Sequence, residues 1–106
     1  MRRLLSSGER PTALLVMDDV MAVGVLGALR ELGLRVPEDV SVVSFNNVPL
    51  SRFCSPPLTT VDIGIYELGF LAASKLIERI RHPERPSTQT LVHTRIVERQ
   101  SVRTRT

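Results

Sequence analysis

The sequence predicts an α/β fold built on an open, largely parallel sheet flanked by helices, and three observations carry that reading. Ala13–Met17 (ALLVM) and Val40–Phe45 (VSVVSF) are short apolar runs without strict alternation, the pattern of strands buried on both faces. Two longer segments, about 20–32 and 65–81, repeat their apolar residues with helical periodicity. The resulting order, strand–helix–strand–strand–helix–strand, is that of a sheet whose strands are joined by helical crossovers.

Each element has its own signals. Residues 2–7 (RRLLSS) read as the last turns of a helix stopped by Gly8, so the natural protein is expected to begin earlier. Asp19 occupies an N-cap position before a helix from about Val20 to Leu32. Met21, Val25, Ala28 and Leu32 share one stripe of that helix; Gly24 and Gly27 lie on another side, where small residues suit close packing against a sheet or a partner helix. Gly33-Leu34 is a Schellman-type stop, and Pro37 confirms the exit. Val48–Ser55 is irregular, and Pro56-Pro57 sets an extended entry to a strand at Leu58–Val61. Ile65, Leu68, Gly69, Ala72, Leu76 and Ile80 form the apolar face of the second helix, which Pro83 ends at His82. Thr88–Val97 alternates in part and is expected to close the fold as one bent strand or two short ones.

A chain of 106 residues fits one small domain, and 42% hydrophobic with 24% charged residues is an ordinary globular composition. No apolar run has the length of a membrane span, and no apolar segment follows Met1-Arg2-Arg3 as a signal peptide would require. Cys54 is the single cysteine, so neither an internal disulfide nor a cysteine metal site can form, and a cytoplasmic setting is the simplest reading. The net charge of +3 is carried almost wholly by arginine, with Arg95, Arg99, Arg103 and Arg105 crowding the C-terminus. No aromatics interleave them and no helix-turn-helix or zinc-finger spacing accompanies them, so they read as a solvated basic tail.

The functional candidates are polar residues that follow the apolar strands. Asp18, Asp19, Asn46, Asn47 and Asp62 fall at or beyond strand C-terminal ends, the edge where open α/β sheets bind ligands. Carboxylates and amides there make paired hydrogen bonds to sugar hydroxyls. Asp19 can equally serve as the helix N-cap and Asn47 as a turn residue, whereas Asp18 and Asn46 have no such local task. The run LLVMDD is like the magnesium-binding start of receiver domains, but the next long strand ends in Asn46-Asn47, and amides cannot accept a phosphoryl group. Nothing in the spacing of Asp18, Asp19 and Asp62 requires a metal, and no P-loop or dinucleotide glycine pattern calls for a cofactor. His82, His93 and Cys54 lack sequence partners for catalysis, so no enzyme activity is expected.

The stretch VMDDVMAVGVLGALRELGLRVPEDVSVVSFNNVPLSRFCSPPLTTVDIGIYELGFLAASKLI, followed by IVERQS, resembles the C-terminal third of the LacI/GalR family effector domain. Its linked motifs GLRVPEDVSVVSF and PPLTTV, with ELG following, carry the resemblance over about residues 12–101. It implies a type I periplasmic-binding-protein-like fold present only in part: residues 12–61 mainly in one subdomain, residues 62–106 as a crossover helix and closing strands, and the DNA-binding domain absent. It implies a sugar effector between two subdomains, a homodimer, and operator DNA contacted only through the missing N-terminal domain. Asp18 and Asp19 match a position of a ligand-contacting Asn and the Asp after it, and Asn46-Asn47 match a pair that is more often Asp-Asp. SFNN with TTVDIGIYELG looks most like the maltose-operon branch, which implies a maltose-like sugar. The resemblance also implies dimerisation through the helix at Val20–Leu32 and the loop containing Phe53-Cys54, at Met21, Val25, Leu29, Phe53 and Cys54. The incomplete fold should leave strand edges and apolar helix faces to be covered by dimerisation or domain swapping. The alternative is an exported sugar-binding protein of a transport system, which shares the fold.

Overall fold

Four strands, β1 (Ala13–Leu15), β2 (Ser41–Phe45), β3 (Thr59–Asp62) and β4 (Arg95–Val97), form one sheet in sequence order in a computed structural model that describes residues 1–106. β1–β2 and β2–β3 are parallel and β3–β4 is antiparallel; Leu14 stands opposite Val42, Ser44 opposite Thr60, and Thr60 opposite Val97. The helices are α1 (Arg2–Ser6), α2 (Asp19–Glu31) and α3 (Ile65–Arg81), with a 3-10 turn at Pro49–Arg52.

α2 is the helix that packs on the sheet. Its start is capped by Asp18, whose Oδ1 accepts the Met21 N–H at 2.7 Å. Its end is a full Schellman motif: the Gly33 N–H reaches Arg30 O at 3.0 Å and the Leu34 N–H reaches Leu29 O at 2.9 Å. Gly33 has φ +73°, a left-handed position that glycine adopts without a Cβ penalty. Ala22, Leu26 and Leu29 form the buried stripe, against Val16, Val40, Val42 and Leu58. The stripe of Met21, Val25, Ala28 and Leu32 lies beside the buried one: Met21 and Leu32 are exposed, and Val25 is only partly buried. Leu29, expected at a dimer interface, needs a correction. It is fully buried in the core of this chain and has no surface to offer a partner. A Cβ built at Gly24 or Gly27 would meet nothing within 4 Å, so neither glycine is there for close packing within the chain.

β1 also departs from expectation. It lies at the sheet edge, covered by α2 on one face only, so Val16 is buried while Leu15 and Met17 are 71% and 78% exposed. β2 sits in the interior and is buried along most of its length.

The segment after β4 returns to the middle of the sheet. Ser101 is fully buried; its Oγ donates to Val42 O at 2.5 Å and accepts the Thr59 N–H at 2.8 Å, while its carbonyl accepts the Val42 N–H at 2.8 Å. Of the strand expected over Thr88–Val97, only Arg95–Val97 forms, because only these residues lie beside β3.

α3 starts after Gly64 (φ +63°) and ends at His82, as its apolar periodicity and Pro83 require. None of its residues is buried. The molecule measures 57 × 27 × 25 Å with a radius of gyration of 18.2 Å. A compact domain of this length would have about 13 Å. No helix is long and apolar enough to cross a membrane.

Candidate ligand site at the strand ends

The parallel strands bring Asp18, Asn46, Asn47 and Asp62 to one edge, because each follows or ends a strand in register with its neighbour. Asn46 and Asn47 leave β2 with φ of 104° and 54°, left-handed values that asparagine tolerates better than most residues. The turn is held by the Asn46 N–H on Val61 O at 2.9 Å and by the Asn47 N–H on Thr60 Oγ1 at 3.3 Å. Beyond the turn the two side chains differ. The Asn47 amide is held at both ends: its Nδ2 donates to Asp62 Oδ2 at 3.2 Å, leaving one N–H over, and its Oδ1 accepts from Arg99 at 2.6 Å and from Ser51 Oγ at 3.4 Å. Asn46 is half-buried and its side-chain amide has no hydrogen-bond partner in the chain, so its donors and acceptor are free at the sheet edge.

Asp18 takes the capping task that the sequence position of Asp19 suggests, and Asp19 takes a different one. The helix begins one residue early, so Asp18 is the cap, with Oδ1 engaged and Oδ2 free of intramolecular partners. Asp19 is fully buried and holds three elements together. It accepts from Ser44 Oγ at 2.5 Å and Thr60 Oγ1 at 2.7 Å, two residues opposite each other in the β2–β3 register, and from the Val48 N–H at 2.7 Å. A ligand cannot reach it. Asp19 is therefore a structural anchor rather than a ligand contact, and it fixes where the Asn46-Asn47 turn leaves the sheet.

Asp62 accepts the Gly64 N–H at 2.9 Å, the Asn47 amide, and Arg95 at 3.3 Å. The Gly64 N–H above all, then Asn47 and then Arg95, hold its carboxyl below the usual carboxylate range. A side chain at position 64 would be strained at that φ, and its Cβ would stand 2.9 Å from Glu67 Oε2.

Arg99 is the site residue that the sequence reading missed, since it stood there among the basic tail. Its guanidinium donates from Nη1 to Ser51 Oγ and Leu58 O, both at 2.8 Å, and from Nη2 to Asn47 Oδ1. The signal was present in IVERQS: Val97, Arg99 and Ser101 alternate with exposed Glu98 and Gln100, so Arg99 lies on the inward-facing set.

Around the turn that follows Asn47, Phe53 is 81% exposed, and the outer surface of α2 shows Val20, Met21 and Val23. Cys54 turns inward instead: it packs beside the core, its Sγ lies 3.3 Å from Leu50 O, and burial pushes its thiol pKa up. His82 lies near Glu84, His93 is exposed, and no group of three or more His, Cys, Asp or Glu is placed to hold a metal ion. A polar cavity of about 370 Å³, with Lys75, Arg79 and Arg85 in its wall, lies at the far end of α3.

With the geometry in place, the likeness to known proteins is informative. A family model described as periplasmic binding protein-like domain matches residues 1–102. The HTH-type transcriptional repressor PurR of Salmonella typhi is 45% identical over 102 residues, which are 96% of this chain and 30% of that protein. The crystal structure of a transcriptional regulator LacI from Bacillus cereus subsp. cytotoxis superposes with a TM-score of 0.91 at 40% identity, over 96% of this chain and 36% of that one. A LacI family transcriptional regulator from Enterococcus faecium with bound ribose gives 0.83 at 31% identity over 95% and 37%. The lac repressor dimer bound to operator and the anti-inducer ONPF gives 0.82 at 34% over 94% and 35%. The chain thus spans about a third of the length of the relatives it matches. On this match, and on a sheet and closing segment that superpose as they do, the chain belongs to the periplasmic-binding-protein-like domain family, in the form that LacI-type regulators carry.

Proposed function

We propose that this chain is the effector-sensing and dimerisation portion of a DNA-binding transcriptional regulator, and that a sugar binds at its strand ends. The observation that carries the reading is the free Asn46 amide, held at the C-terminal edge of a parallel sheet between Asp18 and the Asn47–Asp62 pair. Amides and carboxylates in this arrangement match the vicinal hydroxyls of a sugar. The ribose-bound regulator from Enterococcus faecium, which shares this fold, supports a sugar over other metabolites. Within that class a maltose-like sugar is the first choice, on the resemblance of the SFNN and TTVDIGIYELG segments.

Asp18, Asn46 and Asn47 are the proposed contacts, with Asp62 as their support. The homodimer would use the outer face of α2 and the turn, at Met21, Val25 and Phe53, with Cys54 beneath. A largely exposed phenylalanine together with exposed apolar α2 residues suits the centre of an interface. Operator contact would fall to a DNA-binding domain such as the HTH type for which the Salmonella relative is named, and the protein would act in the cytoplasm. No reaction is assigned. The likeness to repressors and LacI-type regulators favours this reading over an exported transport protein.

Calorimetric titration with maltose, ribose and cellobiose tests it. Maltose should bind in the millimolar range, and Asn46→Gly should abolish the signal while leaving the fold intact. Glycine removes the amide yet suits the left-handed φ, and Asn46 makes no side-chain hydrogen bond that the fold would lose. Equal binding by the variant, or no heat with any of the three sugars, would overturn the assignment.

A further inference from the structure

The geometry points to Arg99 as a positioning residue of the ligand edge: it orients the Asn47 amide toward Asp62, and through Asn47 it holds the left-handed turn that presents Asn46. The inference rests on the strand-end site proposed above. A guanidinium has five donors and no acceptor, so only the oxygen of an amide can face it. An ionised carboxylate accepts only, so only the NH2 of an amide can face it. Asn47 lies between one of each, with Arg99 Nη2 at 2.6 Å from Oδ1 and Asp62 Oδ2 at 3.2 Å from Nδ2. The two neighbours together leave the amide one orientation.

Arg99 is itself fixed. Its other terminal nitrogen reaches Ser51 Oγ and Leu58 O, both at 2.8 Å, and its backbone N–H reaches Thr59 Oγ1 at 3.0 Å. The fork therefore ties the closing segment to the 3-10 turn, to the entry of β3 and to the amide at the end of β2. A lysine could supply the charge, but its single nitrogen cannot span the two places that Nη1 and Nη2 reach in one plane. The chemistry also accounts for an amide at position 47: a carboxylate there would keep its contact with Arg99 but stand against Asp62 as a like charge.

Side-chain NMR on the full chain tests the assignment. Asp62 is faced by Arg95 from β4, by the Gly64 N–H and by Asn47, and Arg99 lies behind Asn47. In the wild type, the Asn47 NH2 resonances should follow the Asp62 titration. In Arg99→Ala that response should collapse, the proton affinity of Asp62 should rise about threefold or more, and maltose affinity should fall about tenfold. Arg103→Ala removes a nearby arginine whose side chain makes no hydrogen bond and should change none of these. Asn47→Asp should raise the Asp62 midpoint while sparing the Arg99 contact. Should Arg99→Ala fail to fold, Arg99→Lys and the wild-type coupling decide the question. Asn47 signals that ignore the Asp62 titration in the wild type, or that survive unchanged in either Arg99 variant, overturn the inference. If no sugar binds while the coupling and its loss are seen, the ligand assignment falls and the orientation by Arg99 stands.

Discussion

α2 and α3 are both regular and both carry apolar residues at helical spacing, yet they meet different fates. α2 places Asp19, Ala22, Leu26 and Leu29 fully or almost fully inside, against the sheet. α3, at 17 residues the longer of the two, buries nothing, and Leu68, Leu76 and Ile80 all stand exposed on its apolar side. An amphipathic pattern records that a face is suited to cover; it does not record what covers it. Most of the stability of a helix in a protein comes from that cover, so the two helices should respond very unequally to the same kind of substitution.

The sharpest way to break the well-packed half is Asp19→Ala. It strands the Ser44 and Thr60 hydroxyls and the Val48 N–H in a buried setting, and should cost about 4 kcal/mol in urea denaturation. A loss under about 1 kcal/mol would show that these groups find other partners. Next comes a direct test of the contrast. Leu29→Ala should cost about 3 kcal/mol through lost burial and a cavity, whereas Ile80→Ala on α3 should stay within about 0.5 kcal/mol. Equal losses would mean that α3 is covered in solution, and the oligomeric state by light scattering would then identify a second copy as the cover.

The smallest effect concerns acid. The carboxyl of Asp62 is held below its ordinary value in the folded chain, so folding favours its ionised form. Its contribution is complete above the unfolded carboxylate range, near pH 4 and upward, and is lost as pH falls through the lower folded value. Wild type and Asp62→Asn should accordingly differ in stability at neutral pH and converge in strong acid. A difference that persists there would refute the linkage.

Much of the chain was legible before its coordinates. Both long helices, the Schellman stop at Gly33, the strand end at Phe45 and the exit at Pro83 all follow from local signals that tertiary structure had no reason to override, and β3 runs one residue later than the expected Leu58–Val61. The errors were shifts of one residue or of one face. Starting α2 a single residue earlier makes Asp18 the cap and Asp19 the first helical residue, whose side chain lies in the core. Leu29, expected to face a partner, lies inside instead, whereas Met21 is on the outside as that expectation requires. Arg99 was hidden for a different reason: its partners Asn47, Ser51 and Leu58 lie 41 to 52 residues away, and charge composition carries no information about such distances.

The buried Ser101 seam has a consequence for the order of events during synthesis. Its hydrogen bonds to Val42 and Thr59 span 59 and 42 residues of chain. A nascent chain made up to β3 can form α2 and bring β1 beside β2, yet the Val42 and Thr59 backbone groups stay open until Ser101 clears the ribosome. Contacts of such sequence separation form late and slowly because the intervening loop must close first. The centre of the sheet is thus the part finished last, and until then it is the site most open to pairing with another chain.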